Sequence, residues 1–258
     1  MSESLFDIRG KVTLVTGGSR GIGLWIARGY VEAGARVYIS SRKVDVCDKA
    51  AKELSAYGDC ISLPADLSSM DEVTRLTQEL ASREDSLHIL VNNAGTAWGA
   101  SIDDFPEKGW DKTMDLNLKS PFFLMQKLLP LLEAAGTAAD PARVINLGSV
   151  DGWHTPIFEN FSYAAGKAAI HHLTRMTAAH LANRNICVNA IAPGYFDTDM
   201  TAPMIESMGL DALLAIVPQK RLGQYQDMAG VAVFLAAKAS AYLTGVTLPV
   251  DGGITGGA

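Results

Sequence analysis

The chain has 258 residues, of which 48% are hydrophobic and 19% are charged, so it can bury a large core and is too apolar to remain disordered. Its net charge of −6 argues against a nucleic-acid-binding surface, and no apolar run approaches the roughly eighteen residues of a membrane span. The first residues lack the basic and apolar regions of a signal peptide, so we expect a cytoplasmic protein. The three cysteines are scattered and the five histidines lack metal-ligand spacing, which favours free thiols and no metal.

A strand, a glycine-rich turn and a helix are predicted near the start of the chain. The β-branched apolar run at residues 12–16 predicts a buried strand, and residues 24–33 have a helical pattern. Residues 16–23 between them read T-G-G-S-R-G-I-G, which is the spacing T-G-x-x-x-G-x-G rather than G-x-G-x-x-G. Glycines let a backbone approach a pyrophosphate, and a helix N-terminus presents free N–H groups to it. The order of these parts predicts a dinucleotide site, whereas the turn alone is also compatible with a simple tight turn.

The second predicted strand, at residues 36–40, bears on the choice of dinucleotide. NAD-selective sites place an acidic residue at the end of this strand, but residues 33–44 contain no Asp or Glu. The strand is followed by Ser41 and Arg42, and Arg42 together with Arg20 of the glycine-rich turn could pair with a 2′-phosphate. A solvated basic turn is the alternative. We therefore predict NADP(H) in preference to NAD(H), with Ser41 and Arg42 among the cofactor-binding residues.

Strand and helix patterns alternate along the rest of the chain. Pro121 is expected to bend one long helix, and Pro130 lies near its predicted end. The predicted helices cover residues 45–56, 70–83, 110–132, 161–182 and 227–237, and the later strands cover residues 60–64, 87–91, 143–149, 186–191 and 246–250. Seven strands with intervening helices predict a single-domain α/β fold with a doubly wound (Rossmann) seven-stranded parallel sheet and helices on both faces.

Several polar or turn-forming residues come where predicted strands end. Ligands of doubly wound sheets bind outside the carboxyl ends of the strands, so these residues are expected on the cofactor side of the sheet. They are Asp66 and Leu67 after the third strand, Asn93 and Gly95 after the fourth, Ser149 at the end of the fifth, and Pro193, Gly194 and Thr198 after the sixth.

Tyr163 and Lys167 are four residues apart in a predicted helix, so their side chains can share one face. A fixed cation favours the tyrosinate, and lowering the pKa of a phenol by ~3 units needs roughly 4 kcal/mol. A pair on a solvated face would have the same spacing. Asn117, inside the helix at residues 110–132, is either a solvent-facing or capping residue or one that interrupts the helix and binds water, and the pattern leaves these open.

Taken together, these motifs resemble those of the short-chain dehydrogenase/reductase family along nearly the whole chain. The similarity is in the order and spacing of the motifs, which is more specific than any one of them. They are residues 16–23, Asp66 with Leu67, residues 92–95, Asn117, Ser149, Tyr163 with Lys167, Pro193 with Gly194, and Thr198.

The resemblance implies a role for each matching residue. Tyr163 would protonate a ketone oxygen or act as the base in alcohol oxidation, and Ser149 would hydrogen-bond the same oxygen. Lys167 would lower the pKa of Tyr163 and bind the nicotinamide ribose, while Asn117 would hold a water in the proton relay. The implied contacts to the phosphates and adenosine ribose are Gly17, Ser19, Arg20, Gly21, Ile22 and Gly23; those to the adenosine side are Asp66, Leu67, Asn93 and Gly95; those to the nicotinamide are Pro193, Gly194 and Thr198.

A substrate lid is expected at about residues 197–218, in a poorly structured segment with three methionines. These three methionines, of which Met208 is the last, have flexible side chains and offer an adaptable apolar surface. Further apolar residues are expected at the same end of the sheet, either facing the substrate or packing under the lid: Trp98, Trp153, Ile157, Phe158 and Phe161. Together they favour a hydrophobic ketone or acyl chain, or the corresponding secondary alcohol, over a sugar.

Within the family, the chain is most similar in appearance to the 3-oxoacyl reductases, in particular the branch associated with rhamnolipid synthesis. Two departures bear on the substrate. Residues 178–180 read A-A-H where carrier-protein-dependent reductases usually have a basic residue, and the acidic chain disfavours an acidic carrier. The loop at residues 151–154 is bulkier than usual. We predict NADPH-dependent reduction of a hydrophobic 3-oxoacyl compound, with a broad-range reductase for bulky ketones as the alternative and a non-catalytic dinucleotide sensor as a distant one.

The family commonly forms tetramers through two long helices and the last strand. The helices predicted at residues 110–132 and 161–182 are apolar enough to bury more than one face, and residues 246–250 are also apolar. We therefore predict a homotetramer, with a dimer as the second choice.

Overall fold

The computed structural model describes residues 4–256, and within them seven parallel strands form one sheet. The strands are β1 (Val12–Thr16), β2 (Arg36–Ser40), β3 (Cys60–Ser62), β4 (Ile89–Asn92), β5 (Ala142–Leu147), β6 (Ile186–Pro193) and β7 (Thr247–Val250). Their order across the sheet is β3-β2-β1-β4-β5-β6-β7, so the direction of winding reverses between β1 and β4. The first three residues, on which part of the signal-peptide prediction rests, lie outside the described range.

Helices cover both faces of the sheet. The helices are α1 (Gly21–Glu32), α2 (Val44–Leu54), α3 (Met70–Arg83), α4 (Glu107–Met114), α5 (Ser120–Ala135), α6 (Phe161–Leu181), α7 (Ala202–Met208), α8 (Leu210–Ala215) and α9 (Tyr225–Ala236). Neighbouring residues of a strand point to opposite faces. Val15 packs in a cluster with residues of α1, α2 and α9, whereas Leu14 packs in a second cluster with residues of α3, α5 and α6. The predicted doubly wound α/β fold is confirmed.

The long helix predicted at residues 110–132 is not continuous. A π turn at Asp115–Lys119 separates α4 from α5. At this turn the N–H of Ser120 bonds the carbonyl of Asp115, five residues earlier, and the next residue, Pro121, has no N–H with which to bond Asn117 four residues earlier. Pro130 lies inside α5, and the helix continues to residue 135, so Pro130 does not end it.

The segment predicted to be poorly structured after Thr198 instead forms two short helices, α7 and α8. Gly209 joins them with a positive φ of 85°, a conformation that favours glycine. Leu213 and Val217 are buried, so one face of the segment packs on the domain.

Cys47, Cys60 and Cys187 are free and buried, as predicted. None of the helices among residues 4–256 is long and apolar enough to cross a membrane.

Candidate active site

The glycine-rich turn joins β1 to the N-terminus of α1, at the point where the sheet reverses its winding. Gly17 and Gly21 have φ values of 64° and 53°, in the region that side chains disfavour. A Cβ on Gly17 would lie 2.7 Å from Asn93 Nδ2, and one on Gly23 would lie 2.3 Å from the carbonyl oxygen of Gly17. The positive φ values at Gly17 and Gly21 and the short contacts at Gly17 and Gly23 therefore require glycine at these positions. The result is an open run of backbone leading to the N-terminus of a 12-residue helix, which suits a pyrophosphate.

Asn93 braces this turn. Its Nδ2 donates to the carbonyl oxygens of Thr16 and Gly17 at 2.9 and 3.2 Å. Thr16 Oγ1 donates to Val91 and accepts from the backbone N–H groups of Asn93 and Ala94, which ties β1 to the end of β4. The side chain of Asn93 is thus occupied in holding the glycine turn, a role that the sequence did not indicate.

The end of β2 has the features expected of a 2′-phosphate site. Ser41 Oγ is buried and makes no hydrogen bond in the structure, although buried hydroxyls usually have a partner. Arg42 is exposed beside it, and Arg20, also exposed, lies at the start of α1 with its guanidinium 3.9 Å from the carboxylate of Asp199. These polar groups fit a cofactor that carries an extra phosphate. Ser19 and Ile22 of the turn are half-buried.

The residues predicted to contact adenine are placed differently from one another. Asp66 is half-buried, and its Oδ1 accepts hydrogen bonds from the backbone N–H and hydroxyl of Ser68 at 3.1 and 2.7 Å. The side chain of Leu67 packs in the core, which leaves its backbone for any contact with a ligand. Gly95 is exposed, and a Cβ there would lie 3.0 Å from Asn117 Oδ1.

Ser149, Tyr163 and Lys167 meet at the carboxyl end of β5. Ser149 is buried two residues beyond the strand and is hydrogen-bonded to the side chain of Tyr163, on the first turn of α6. Lys167 is 5% exposed, one turn further along α6. Its Nζ lies 5.4 Å from the centroid of the Tyr163 ring and donates to the carbonyl oxygen of Leu147 at 2.6 Å. The predicted shared face is therefore present in the structure.

Burial dominates the proton affinities of this pair. It raises the pKa of Tyr163 to about 12, although the hydrogen bond from Ser149 acts in the opposite direction. It lowers the pKa of Lys167 to about 8, because the buried ammonium has lost most of its hydration. The pKa of Tyr163 thus moves opposite to the direction predicted from Lys167, since desolvation of the buried phenol is the largest effect on it.

Asn117 lies in the π turn and is buried. Its Oδ1 accepts from the N–H of Thr96 and its Nδ2 donates to the carbonyl oxygen of Thr96, both at 2.9 Å. The solvent-facing alternative for Asn117 is therefore wrong. Helix α6 passes next to this turn at Gly166, where a Cβ would lie 3.8 Å from the Cβ of Asn117. Oδ1 and Nδ2 of Asn117 thus each make one bond to Thr96, which fixes the orientation of the side chain.

The end of β6 completes the cleft. Pro193 is the last residue of the strand, and a Cβ on Gly194 would lie 2.8 Å from the Cα of Asp251. Thr198 extends back to the glycine turn, since its Cγ2 lies 3.7 Å from the position of a Cβ on Gly21. The structure therefore brings together the predicted residues of the glycine turn and those that follow β6.

A buried polar ladder behind the site was missed by the sequence reasoning. Asn92 Nδ2 donates to Asn146 Oδ1 at 2.9 Å, and Asn146 Nδ2 donates to Thr174 Oγ1 at 2.9 Å. It links β4, β5 and α6, and therefore fixes α6 relative to the strand that carries Ser149. The pattern that could have indicated this ladder is an Asn between apolar residues of a predicted buried strand, as in V-I-N-L at residues 144–147.

Within residues 4–256 there is no group of three His, Cys, Asp or Glu side chains that could hold a metal ion. The groups that the structure brings together at the end of β5 are the hydroxyls of Ser149 and Tyr163 and the ammonium of Lys167.

Comparison with known proteins agrees with this geometry. A family model described as enoyl-(acyl carrier protein) reductase matches residues 17–255. The rhamnolipids biosynthesis 3-oxoacyl-[acyl-carrier-protein] reductase of Pseudomonas aeruginosa is 48% identical over 249 residues, covering 96% of this chain and 97% of that protein. A galactitol 2-dehydrogenase (L-tagatose-forming) of Cereibacter sphaeroides is 36% identical over 256 residues, covering 98% of each.

A solved structure is similar to nearly the whole fold. The Pseudomonas aeruginosa RhlG/NADP active-site complex superposes with a TM-score of 0.94 at 47% identity, covering 98% of this chain and 99% of that one. Coverage of this extent at this identity includes the glycine turn, the sheet edge and α6. The chain belongs to the short-chain dehydrogenase/reductase family.

Proposed function

We propose that this protein reduces a ketone to a secondary alcohol with NADPH, in a reversible hydride transfer. The observation that carries the proposal is the hydrogen-bonded pair of Ser149 and Tyr163, with Lys167 beside it, at the same sheet edge as the glycine turn. Two hydroxyls directed to one point suit a carbonyl oxygen on which negative charge develops. Family membership supports the same reaction class.

Each side chain then has a distinct task. Tyr163 is protonated at neutral pH, because its pKa is raised to about 12, and it donates its proton to the ketone oxygen. Ser149 donates a hydrogen bond to the same oxygen. Lys167 is proposed to exchange its bond with Leu147 for the nicotinamide ribose, and Asn117 to anchor the relay that restores the proton. Bound NADPH supplies the hydride.

The preference for NADPH is supported by the groups at the end of β2. Ser41 offers an unpartnered buried hydroxyl, and Arg42 and Arg20 offer guanidinium groups that can pair with a phosphate. The solved relative RhlG is an NADP complex. The predicted contacts to the phosphates, the adenosine and the nicotinamide remain part of this proposal.

The substrate proposed is a hydrophobic 3-oxoacyl compound. The rhamnolipid-pathway relative is a 3-oxoacyl reductase by name, and both the segment that follows Ser149 and the proposed lid carry exposed apolar side chains. They are Trp153, Ile157, Met200, Leu210 and Ile216. A polyol dehydrogenase is also among the relatives, so the family alone does not set the substrate class.

The lid proposed at residues 197–218 has fixed ends and a joint in its middle. At one end Phe196 is buried and pairs with Gly223; at the other Val217 is buried and the N–H of Gln219 donates to Gly252 at 3.0 Å. Between them, the positive φ at Gly209 joins α7 to α8. The two short helices can therefore move against each other while both ends stay attached.

The deciding experiment follows NADPH absorbance with a 3-oxoacyl thioester, the matching 3-oxoacyl oxygen ester and bulky aromatic ketones. Turnover of the thioester with a much higher kcat/KM than the aromatic ketones supports the proposal, and the reverse order favours the broad-range reductase. Tyr163→Phe is the control for chemistry, since it should bind NADPH without turning over. Tight NADPH binding with no oxidation by any carbonyl would contradict an enzymatic role.

A homotetramer is also proposed. An apolar groove lies between the π turn, α5 and α6, and Met176 at its edge is half exposed. Its lining residues are Leu118, Lys119, Phe122, Ala169, His172, Leu173 and Met176. Near β7, Tyr242 is fully exposed and offers a second apolar contact. Met176→Glu should reduce the assembly seen by light scattering, with Thr177→Glu, one residue away on the helix, as a matched control; a wild-type monomer would contradict the proposal.

A further inference from the structure

A buried carboxyl on the residue two positions after Ser149 has no part in the reaction described above. Asp151 is 9% exposed, in the 3-10 turn Val150–Gly152 that directly follows Ser149. Its backbone N–H donates to Ser149 Oγ at 3.1 Å, and its Oδ2 accepts from Asn160 Nδ2 at 3.2 Å. The first bond holds the turn against Ser149, and the second holds the carboxylate against Asn160.

The titratable groups around Asp151 come from three elements. On its own loop, His154 Nε2 lies 3.8 Å from Oδ1. From α6, Tyr163 and Lys167 interact with the carboxylate, and beyond β6 the phenol of Tyr195 does so as well. His171, also on α6, accepts a hydrogen bond from the N–H of Ser149 at 3.4 Å, and burial lowers its pKa to about 4, so it is neutral. Among the described residues, Asp151 is the carboxylate that acts on Lys167.

A negative charge at this position acts in the same sense on both members of the catalytic pair. It opposes ionisation of the Tyr163 phenol, because two negative charges would then face each other. It favours the ammonium form of Lys167, which is buried. The carboxylate therefore helps to keep both the Tyr163 phenol and the Lys167 ammonium protonated, and ketone reduction requires both groups in their protonated forms.

We propose that Asp151 is a positioning residue for proton transfer, whose buried carboxylate keeps the Tyr163–Lys167 pair protonated and so extends ketone reduction to alkaline pH. The inference rests on the proposed function. Asn160 supports it by donating to the ionised carboxylate, which would otherwise be disfavoured by burial. Tyr163 and Lys167 titrate as a coupled pair, so the expected effect belongs to the pair rather than to either group.

The test measures kcat/KM for ketone reduction from about pH 6 to about pH 10 in wild type and in Asp151→Asn, which keeps the shape of the side chain and removes its charge. The alkaline limb of the profile should move to lower pH by about one unit in the variant. Asp151→Glu restores the charge and should return the limb towards that of wild type. Asn160→Ala keeps the charge, so it should leave the midpoint in place even if KM rises.

Two results would overturn the proposal: an alkaline limb in Asp151→Asn that coincides with wild type or lies above it, or an equal shift in Asp151→Glu. A purely structural role would lower kcat/KM at every pH without moving the midpoint. A wild type without turnover would refute the proposed function, and the inference is then tested by NADPH affinity against pH. NADPH affinity should weaken at alkaline pH because Lys167 loses its proton. This weakening should disappear in Lys167→Met and should begin at lower pH in Asp151→Asn. An onset in Asp151→Asn at the same pH as in wild type would refute the inference.

Discussion

Gly23 and Gly230 offer a matched test of the glycine turn, because the same substitution to Ala should have opposite effects at the two sites. Both glycines lie within helices, α1 and α9. Ala is favoured over Gly in a helix interior by up to ~1 kcal/mol. A Cβ on Gly230 would meet nothing within 4 Å, whereas one on Gly23 would lie 2.3 Å from the carbonyl oxygen of Gly17 and equally close to Asn93 Nδ2.

The clash at Gly23 involves backbone, so it cannot be relieved by turning a side chain. The turn would have to move by about an ångström, which breaks the hydrogen bonds from Asn93 to Thr16 and Gly17. We expect Gly23→Ala to lose roughly 1–3 kcal/mol of stability and to weaken NADPH binding at least about tenfold, equivalent to ~1.4 kcal/mol. Gly230→Ala should gain roughly 0.5–1 kcal/mol with unchanged NADPH affinity.

The assays are urea unfolding for stability and nucleotide fluorescence for binding. NADPH affinity equal to wild type in Gly23→Ala would show that the turn does not need its close backbone approach and would refute its assignment as the phosphate cradle. Loss of stability in Gly230→Ala would instead refute the propensity argument, and would leave the result at Gly23 without its reference.

Three further predictions concern the cofactor and the catalytic pair. Arg42→Ala should raise the KM for NADPH about 10- to 100-fold, the value of one or two charge-assisted hydrogen bonds, and leave the KM for NADH nearly unchanged; an equal effect on both nucleotides would contradict it. Tyr163→Phe should reduce kcat at least about 10²-fold in a steady-state assay while NADPH still binds, and near-normal turnover would remove Tyr163 from its role. Lys167→Met should be inactive yet more stable at pH 7 by about 1–2 kcal/mol in urea unfolding, because burial of the ammonium costs roughly 3 kcal/mol and the carbonyl of Leu147 loses its donor. Since the pKa of Lys167 is lowered from 10.5 to about 8, the wild type recovers that cost as pH rises from about 8 towards 10.5, and the advantage of Lys167→Met should shrink over that range.

The strands and their parallel arrangement in one sheet were predictable, since short β-branched apolar runs between turn residues have few alternative structures. Strands β1 and β2 begin and end where the pattern predicted, and so does α3. Leu14 and Val15 show why: neighbouring residues of a strand buried on both faces must both be apolar. Once the strands are parallel, the residues that follow them necessarily collect at one edge.

What the sequence did not show depends on contacts between distant segments. The π turn at Asp115–Lys119 needs both Pro121 and the bonds from Asn117 to Thr96, and only the first of these is visible as a local pattern. The two short helices of the lid have a glycine and a proline between or within them, which reads as a loop when the packing of Leu213 is unknown. Local propensity is a weak guide in such segments.

The proton affinities of Tyr163 and Lys167 depend in the same way on burial, and their order is reversed relative to free amino acids. Unperturbed, the ammonium holds its proton to slightly higher pH than the phenol. In this site the pKa of Lys167 falls to about 8 and that of Tyr163 rises to about 12, so on raising the pH Lys167 loses its proton first. The phenol is then still protonated but has no cation beside it to stabilise the tyrosinate that forms as it donates. The alkaline limit of ketone reduction should therefore follow the ionisation of Lys167, and a carboxylate at Asp151 raises that limit by holding the proton on the ammonium.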